Sequence, residues 1–405
     1  MNTGDTAFML VATALVMFMT PGLALFYGGL VRRKNVLSTI MHSMCCLGLI
    51  SIIWLFYGYS LAFGPDVGGF IGNLDWIGLK GVGLDPGPYS DTIPDLLFCA
   101  FQLMFAIITP ALISGAYAER MRFTAFLLFT VLWSTFVYMP VCHWVWGQGG
   151  WLGKLGALDF AGGTVIHINS ACAALVAAIM LGKRKGWWQE AFHPHNLPLT
   201  VLGAGILWFG WFGFNAGSAL SAGKIATLAF FTTQIATGCA LLSWMVAEWV
   251  IQGKPTTLGA ASGAVAGLVA ITPAAGFVSP ISAAIIGLVA GALCYSAILL
   301  KGKLGYDDAL DVVAVHGVGG LWGALATGLF ASLAWNPDGA NGLFFGNPKQ
   351  FVIQAVGAGS AILYSLVVSF VILKIVDATI GLRVSLEDEV QGLDITQHSE
   401  IGYNI

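Results

Sequence analysis

Long apolar runs follow one another along the whole chain, separated by short polar or Gly/Pro-rich stretches. A helix needs about 20 residues to cross the ~30 Å hydrocarbon core of a bilayer. Eleven runs approach that length, near 6–30, 37–63, 95–117, 122–143, 161–182, 197–216, 224–251, 257–274, 279–300, 310–333 and 349–376. The eighth is the shortest and is open to being broken. The connection at 64–94 is rich in Gly, Pro and Asp and reads as irregular structure. From 383 to 405 the chain turns polar and acidic, with Glu387, Asp388, Glu389, Asp394 and Glu400. The pattern therefore predicts an all-α polytopic membrane protein of eleven transmembrane helices. Its membrane domain would cover 1–382 and a cytoplasmic tail 383–405, the tail being too short for a catalytic or kinase domain.

Composition agrees. Only 9% of the 405 residues are charged and 57% are hydrophobic, against about 25% charged in a soluble domain. A net charge of -3 with no basic stripe points away from nucleic acid. The basic residues set the orientation, since loops on the cytoplasmic side collect Lys and Arg. With the N-terminus outside, the inner side holds Arg32, Arg33, Lys34, Arg120, Arg122, Lys183, Arg184, Lys185, Lys254, Lys301, Lys303, Lys374 and Arg383. The outer side keeps only Lys80, Lys154, Lys224 and Lys349. This asymmetry predicts N-out, C-in insertion in the cell inner (plasma) membrane. No basic n-region precedes the first run, which leaves open a trimmed precursor or a self-inserting first helix.

Two residues break the apolar pattern most sharply. His167 lies in Gly162-Gly163-Thr164-Val165-Ile166-His167, and His316 in Val312-Val313-Ala314-Val315-His316. An ionisable group at membrane depth is costly and usually faces a polar pathway or a partner, and imidazole can change charge near neutral pH. Eleven spans allow a 5+5 inverted repeat plus a final helix. On that scheme the fifth run enters from outside and the tenth from inside. Each histidine then lies about six residues into its helix, roughly 9 Å deep at 1.5 Å per residue, approaching the midplane from opposite sides. Repeat architectures commonly place a site at the repeat interface. His42 and His143 read as a helix-end and an interface residue, His193 and His195 as solvated loop residues, and His398 as part of the tail. Asp159 and Asp311, near the starts of the fifth and tenth runs, read as helix caps.

Other motif classes are poorly represented. The seven cysteines fall in or beside apolar segments and describe neither a disulfide framework nor a zinc site. There is no HExxH, and every Gly-Lys pair is followed by Ile, Arg, Pro or Leu, so no P-loop is completed. No enzyme activity, metal or cofactor is expected. The fifty-three glycines, including Gly259/Gly263/Gly267 and Gly319/Gly323 at four-residue spacing, signal close helix packing.

Several longer motifs converge on one family. The first run contains Pro21-Gly22-Leu23-Ala24-Leu25-Phe26-Tyr27-Gly28-Gly29-Leu30-Val31-Arg32, and the fifth is entered through Ala157-Leu158-Asp159-Phe160-Ala161-Gly162-Gly163. The sixth ends Gly210-Trp211-Phe212-Gly213-Phe214-Asn215-Ala216-Gly217-Ser218, and the tail carries Gly381-Leu382-Arg383 and Gly392-Leu393-Asp394. Over essentially its whole length the chain resembles the Amt/Mep/Rh ammonium transporters, more the bacterial and archaeal Amt branch than Rh. The resemblance implies a homotrimer with one pore per subunit. It implies an outer ammonium-recruiting site at Phe101, Phe105, Trp146 and Ser218, and a gate at Phe105 and Phe214. His167 and His316 would be the pore pair with Trp211 beside them, and Asp159 a structural support. It also implies a tail that packs under neighbouring subunits and contacts a PII-type signalling protein, although Ser399 stands where the family commonly has glycine. Substrates would be ammonium and ammonia, with methylammonium a related one.

The residues suit that chemistry. Phe101 and Phe105, four apart, share a helix face. Aromatic faces attract a cation by ~0.5–1 kcal/mol when exposed and ~2 or more when desolvated. A serine oxygen can accept one N–H. An apolar lumen below penalises the ion far more than neutral ammonia. Two other functions remain open on the same scaffold: an ammonium sensor and a neutral ammonia gas channel.

Overall fold

The computed structural model describes residues 1–404. Its long helices are Thr3–Leu30, Val36–Ile53 continued through Tyr59–Phe63, Asp95–Tyr117, Phe123–Trp133 continued through Met139–Trp146, Asn169–Leu181, Leu197–Gly217, Lys224–Gln252, Thr257–Ile271, Pro280–Leu304, Gly319–Phe330 and Pro348–Ile380. They are spans 1 to 11 below. Ten are long and apolar enough to cross a membrane once the wide turns that join or precede them are included. Span 8, at fifteen residues, is not. Pro273, two residues past its end, cannot continue a helix, and the chain proceeds through turns to Ser279. The eighth run, which the sequence left open to being broken, is thus the short one.

Local chemistry sets the ends. Asn2, Asn196, Thr256 and Ser279 cap their helices through side-chain acceptors, as short polar residues do for the unpaired first N–H groups. Close approach fixes the packing. A side chain at Gly203 would strike the backbone of span 1 at Phe26, and ones at Gly263 and Gly267 would strike Trp244 and Ala240 of span 7. Four segments are wound as wide π-turns: Trp54–Gly58, Ser134–Tyr138, Gly163–Ile168 and Val313–Val318. Such turns are rare and favour functional positions. The last two carry the two histidines.

The loop between spans 2 and 3 contains two small hairpins, Asp66–Val67 with Ile71–Gly72 and Pro86–Gly87 with Ser90–Pro94. His143 ties it to span 4, with Nδ1 2.9 Å from the Ala62 carbonyl and Nε2 3.0 Å from Asp66 Oδ1. On the opposite face a buried charge cluster joins four loops. Glu119 receives Arg32 and Arg184, and Arg184 also grips Asp307. Burial alone would push the Glu119 carboxyl up, but Arg184 and Arg32 hold it below the usual carboxylate range. Asp307 is held down in the same way by Arg184 and Arg120.

The tail is not loose. It forms the short helices Leu386–Gln391 and Leu393–His398. Asp394 accepts the Ser38 N–H at the start of span 2, Lys34 bonds the carbonyls of Glu389 and Val390, and Arg383 reaches Glu389. Ser399 takes the left-handed conformation (φ 56°) at the last cap, the geometry for which glycine is the usual residue. The reading of His195 as a solvated loop residue is corrected. Its ring bridges the Val31 carbonyl and the Tyr403 hydroxyl, at 2.9 and 3.1 Å.

Candidate functional site

Span 5 is approached through Asp159, whose two carboxylate oxygens accept the N–H groups of Gly162, Gly163, Thr164 and Val165 at 2.6–3.1 Å. These are the unpaired donors that open a helix. The following turn closes through His167 N–H to the Gly162 carbonyl, a five-residue reach. It delivers the His167 ring into the interior, 1% exposed.

Span 10 repeats the construction from the other face. Asp308 lies eight residues before His316, as Asp159 lies eight before His167. It accepts the Val313 N–H at 2.7 Å. Asp308, not Asp311, is therefore the cap. Asp311 sits at φ 63° and pairs with Lys301. The two turns bring His167 Nδ1 to 3.1 Å from His316 Nδ1, with the rings 21° from parallel. Such a contact needs one nitrogen to donate and the other to accept, so the pair shares a single proton between them.

Aromatic rings continue the line. Trp211 stacks on His167 with centroids 5.5 Å apart, and its indole N–H donates to Thr272 Oγ1 at 2.9 Å. Phe214 stacks on Phe105 at 4.2 Å and 18°. Phe105 meets Trp146 edge-on at 6.0 Å and Phe101 at 4.8 Å. The Phe105/Phe214 stack connects the walls of two spaces: Phe105 touches Trp146 of one, and Phe214 lines the other. On one side is an open cavity of about 280 Å³ whose walls include Phe63, Tyr89, Phe98, Gln102, Trp146, Phe160 and Ser218. On the other is a narrow space of about 10 Å³, bounded by Leu23, Phe26, Ile108, Leu112, Trp211, Phe214 and both histidines. That is about one water-sized sphere. Phe101 is fully buried beside Phe105 and Gly217 and does not line the open cavity.

Hydrogen bonds fix the cavity wall. Trp146 donates its indole N–H to the Asp159 carbonyl at 2.8 Å, and Ser218 donates its hydroxyl to the Phe214 carbonyl at 2.8 Å. The serine oxygen thus keeps its acceptor lone pairs free. Among the described residues, no cluster of His, Cys, Asp or Glu is arranged to hold a metal.

Three contributors escaped the sequence reading. Asp308 was available from the repeated eight-residue spacing. Gln102, one residue from Phe101 inside an apolar run, lines the cavity with its Oε1 buried and unpartnered. Its signal was a lone amide at membrane depth. Thr272 carried no signal, because its role depends on the short span 8 turning back towards Trp211.

The likeness to known proteins spans the chain. An ammonium transporter of Bacillus subtilis is 56% identical, with 100% of this chain and 99% of that protein covered. The crystal structure of Candida albicans Mep2 superposes with a TM-score of 0.90 at 37% identity, covering 96% of this chain and 88% of that one. A solved structure described as a Sensor Amt Protein also reaches 0.90, at 30% identity and 98% coverage of both chains. The Ammonium Transporter Family profile matches residues 7–403, and the protein belongs to that family.

Proposed function

We propose that this protein transports ammonium across the cell membrane, recruiting the ion in the outer aromatic cavity and passing it inward as ammonia with a proton. The observation that carries this reading is the stacked Phe105/Phe214 pair, which lies between Trp146 on the wall of the open cavity and the near-dry space beside the histidine pair. Trp146 offers a ring face to the cation and Ser218 an acceptor. Below the stack an ion would lose its hydration with little replacement, so it is the neutral molecule that passes. The proton is released near the gate and moves along His167 and His316, one ring donating as the other accepts. Asp159 holds the turn that aims His167, and Trp211 orients the ring by stacking.

The same reading gives eleven crossings, the short eighth helix crossing with its flanking turns. The N-terminus is outside and the tail inside, because the charge cluster and most Lys and Arg lie on the tail's face. The matching histidine turns of spans 5 and 10 fit a 5+5 inverted repeat followed by span 11. Residues 1–382 form the transport domain and 383–405 a regulatory tail able to meet a PII-type protein, in a homotrimer in the plasma (inner) membrane.

Net movement of one charge would couple uptake to the membrane potential, about 2.3 kcal/mol per 100 mV. The test is the transient current of the purified protein in proteoliposomes after an ammonium jump. A saturable current absent from empty liposomes is the expected result. Ammonium binding without current would favour a sensor, a second reading motivated by the Sensor Amt likeness. Uncharged ammonia flux would instead indicate a gas channel.

A further inference from the structure

We propose that Gln102 is a second hydrogen-bond acceptor in the outer cavity and that its amide oxygen sets the preference for ammonium over methylammonium. The inference rests on reading that cavity as the ammonium-recruiting site. Few polar groups reach the cavity, and most are already committed. Trp146 gives its N–H to the Asp159 carbonyl. Tyr89 gives its hydroxyl proton to the Phe63 carbonyl at 2.6 Å and accepts the Gln148 N–H at 3.1 Å. Ser218 gives its proton to Phe214. One acceptor already faces the cavity, the Ser218 oxygen; a second, Gln102 Oε1, is buried without a partner and reaches the cavity when its amide turns.

Gln102 is 8% exposed, one residue beyond Phe101 on span 3, in the same wall as Phe98. A buried amide oxygen without a donor is destabilising, so nothing holds the amide in this orientation against an occupant whose N–H groups an outward oxygen could accept. The terminal amide torsion is a broad two-fold rotor, and turning its oxygen toward the cavity breaks no hydrogen bond to that atom.

Ammonium presents four N–H donors in tetrahedral directions. Aromatic faces can receive some of them, and Ser218 and Gln102 one each. Methylammonium has one donor fewer and must set its methyl group against a ring or surrender an oxygen. A site with two oxygens thus favours ammonium more than a site with one, since an unmatched polar group discriminates more sharply than a lost methylene.

The experiment compares wild type, Q102L and Q102E by proteoliposome current and by ammonium quenching of tryptophan fluorescence in detergent. For Q102L the half-saturating ammonium concentration should rise about tenfold, as for loss of one charge-assisted hydrogen bond. Maximal current should stay within about twofold, and half-saturation for methylammonium should move less, so the preference for ammonium falls. Q102E, which keeps acceptors at this position, should bind ammonium at least as tightly as wild type. The proposal is overturned if Q102L leaves ammonium half-saturation unchanged. It is also overturned if Q102L and Q102E are equally impaired with a lowered unfolding temperature, the mark of a packing role. Wild type that binds without current removes the transport reading, while the Q102L binding shift still decides the role of Gln102. Wild type that neither binds nor conducts overturns both.

Discussion

The two histidines are delivered by matched turns, yet the supports beneath those turns are built from different physics. Asp159 is held by backbone: four N–H groups of its own chain surround the carboxylate. Asp308 is held amid charges. It accepts the Val313 N–H, while Lys301 bonds its carbonyl and pairs with Asp311. Nearby, Glu119, Arg184 and Asp307 form the buried cluster that closes the same face. Backbone dipoles are fixed and indifferent to pH. Side-chain charges are adjustable, and they couple the Asp308 support to whatever touches the loops. One half of the site is thus rigidly set and the other is open to modulation.

The largest effect expected from breaking this contrast is at Asp159. D159A would strand four buried donors, costing on the order of 4 kcal/mol or more. The apparent unfolding midpoint in detergent should fall further than for any variant below. D159N, which keeps one carbonyl oxygen, should recover part of the loss.

Next comes Glu119. E119Q removes the anion between two guanidinium groups, and breaking a buried pair costs about 3–5 kcal/mol. Because the Glu119 carboxyl is held below its ordinary value of 4.5, its contribution is complete above that pH and is lost as pH falls through the lowered value. Wild type should therefore lose stability on acidification below about pH 4.5, and E119Q should show a shallower loss. Equal slopes would remove the charge account of the tail's face.

The histidine pair joins the halves. The double alanine variant at His167 and His316 should fold, and its ammonium current or its selectivity against potassium should change by at least about tenfold. Unchanged current and selectivity would end the proton-relay proposal.

The smallest effect is expected at Asp308. Burial first, opposed by Lys301 and reinforced by Asp311, pushes its carboxyl up to about 6. A raised carboxyl stabilises the fold below its ordinary value of 3.8, and this contribution is lost as pH rises through about 6. D308N stays neutral and should flatten stability across that window. At pH 7 it should cost under about 1 kcal/mol, because a lost charge–dipole contact is offset by relief of a buried anion. A cost as large as that of D159A would mean the two supports are alike.

What the sequence made legible follows from the same contrast. His167 and His316 stood out because ionisable groups in apolar runs are rare, and the helices because twenty-residue apolar runs admit little else. The short eighth helix was readable from its length and from Pro273. Asp311 reads as the cap because it lies nearer the helix start, whereas the residue that accepts the N–H is Asp308, at the same eight-residue spacing from its histidine as Asp159. The contact between the histidine rings was not legible, since it joins residues 149 positions apart. His195 looked like a loop residue until Tyr403, 208 positions on, proved to be its partner. Gln102 was hidden by its setting, because one amide among apolar residues gives no hint of which way it points.

The wide turns at Gly163–Ile168 and Val313–Val318 have a consequence for how this chain tolerates change in length. Each reaches back five residues where an α-helix reaches four, so each holds one residue more than the regular ladder needs. Deleting a single residue there would let the ladder close normally and leave the helix intact. Because the wide turn takes up that residue without the usual 100° advance, the segments before and after it would keep close to their present phase while the side chains inside the turn shift. A one-codon deletion could therefore spare membrane insertion while swinging an imidazole away from its partner, whereas the same deletion mid-helix would misalign packing throughout the bundle. The extra residue in each turn works as a phase adjustment between a helix face that packs and a helix face that conducts.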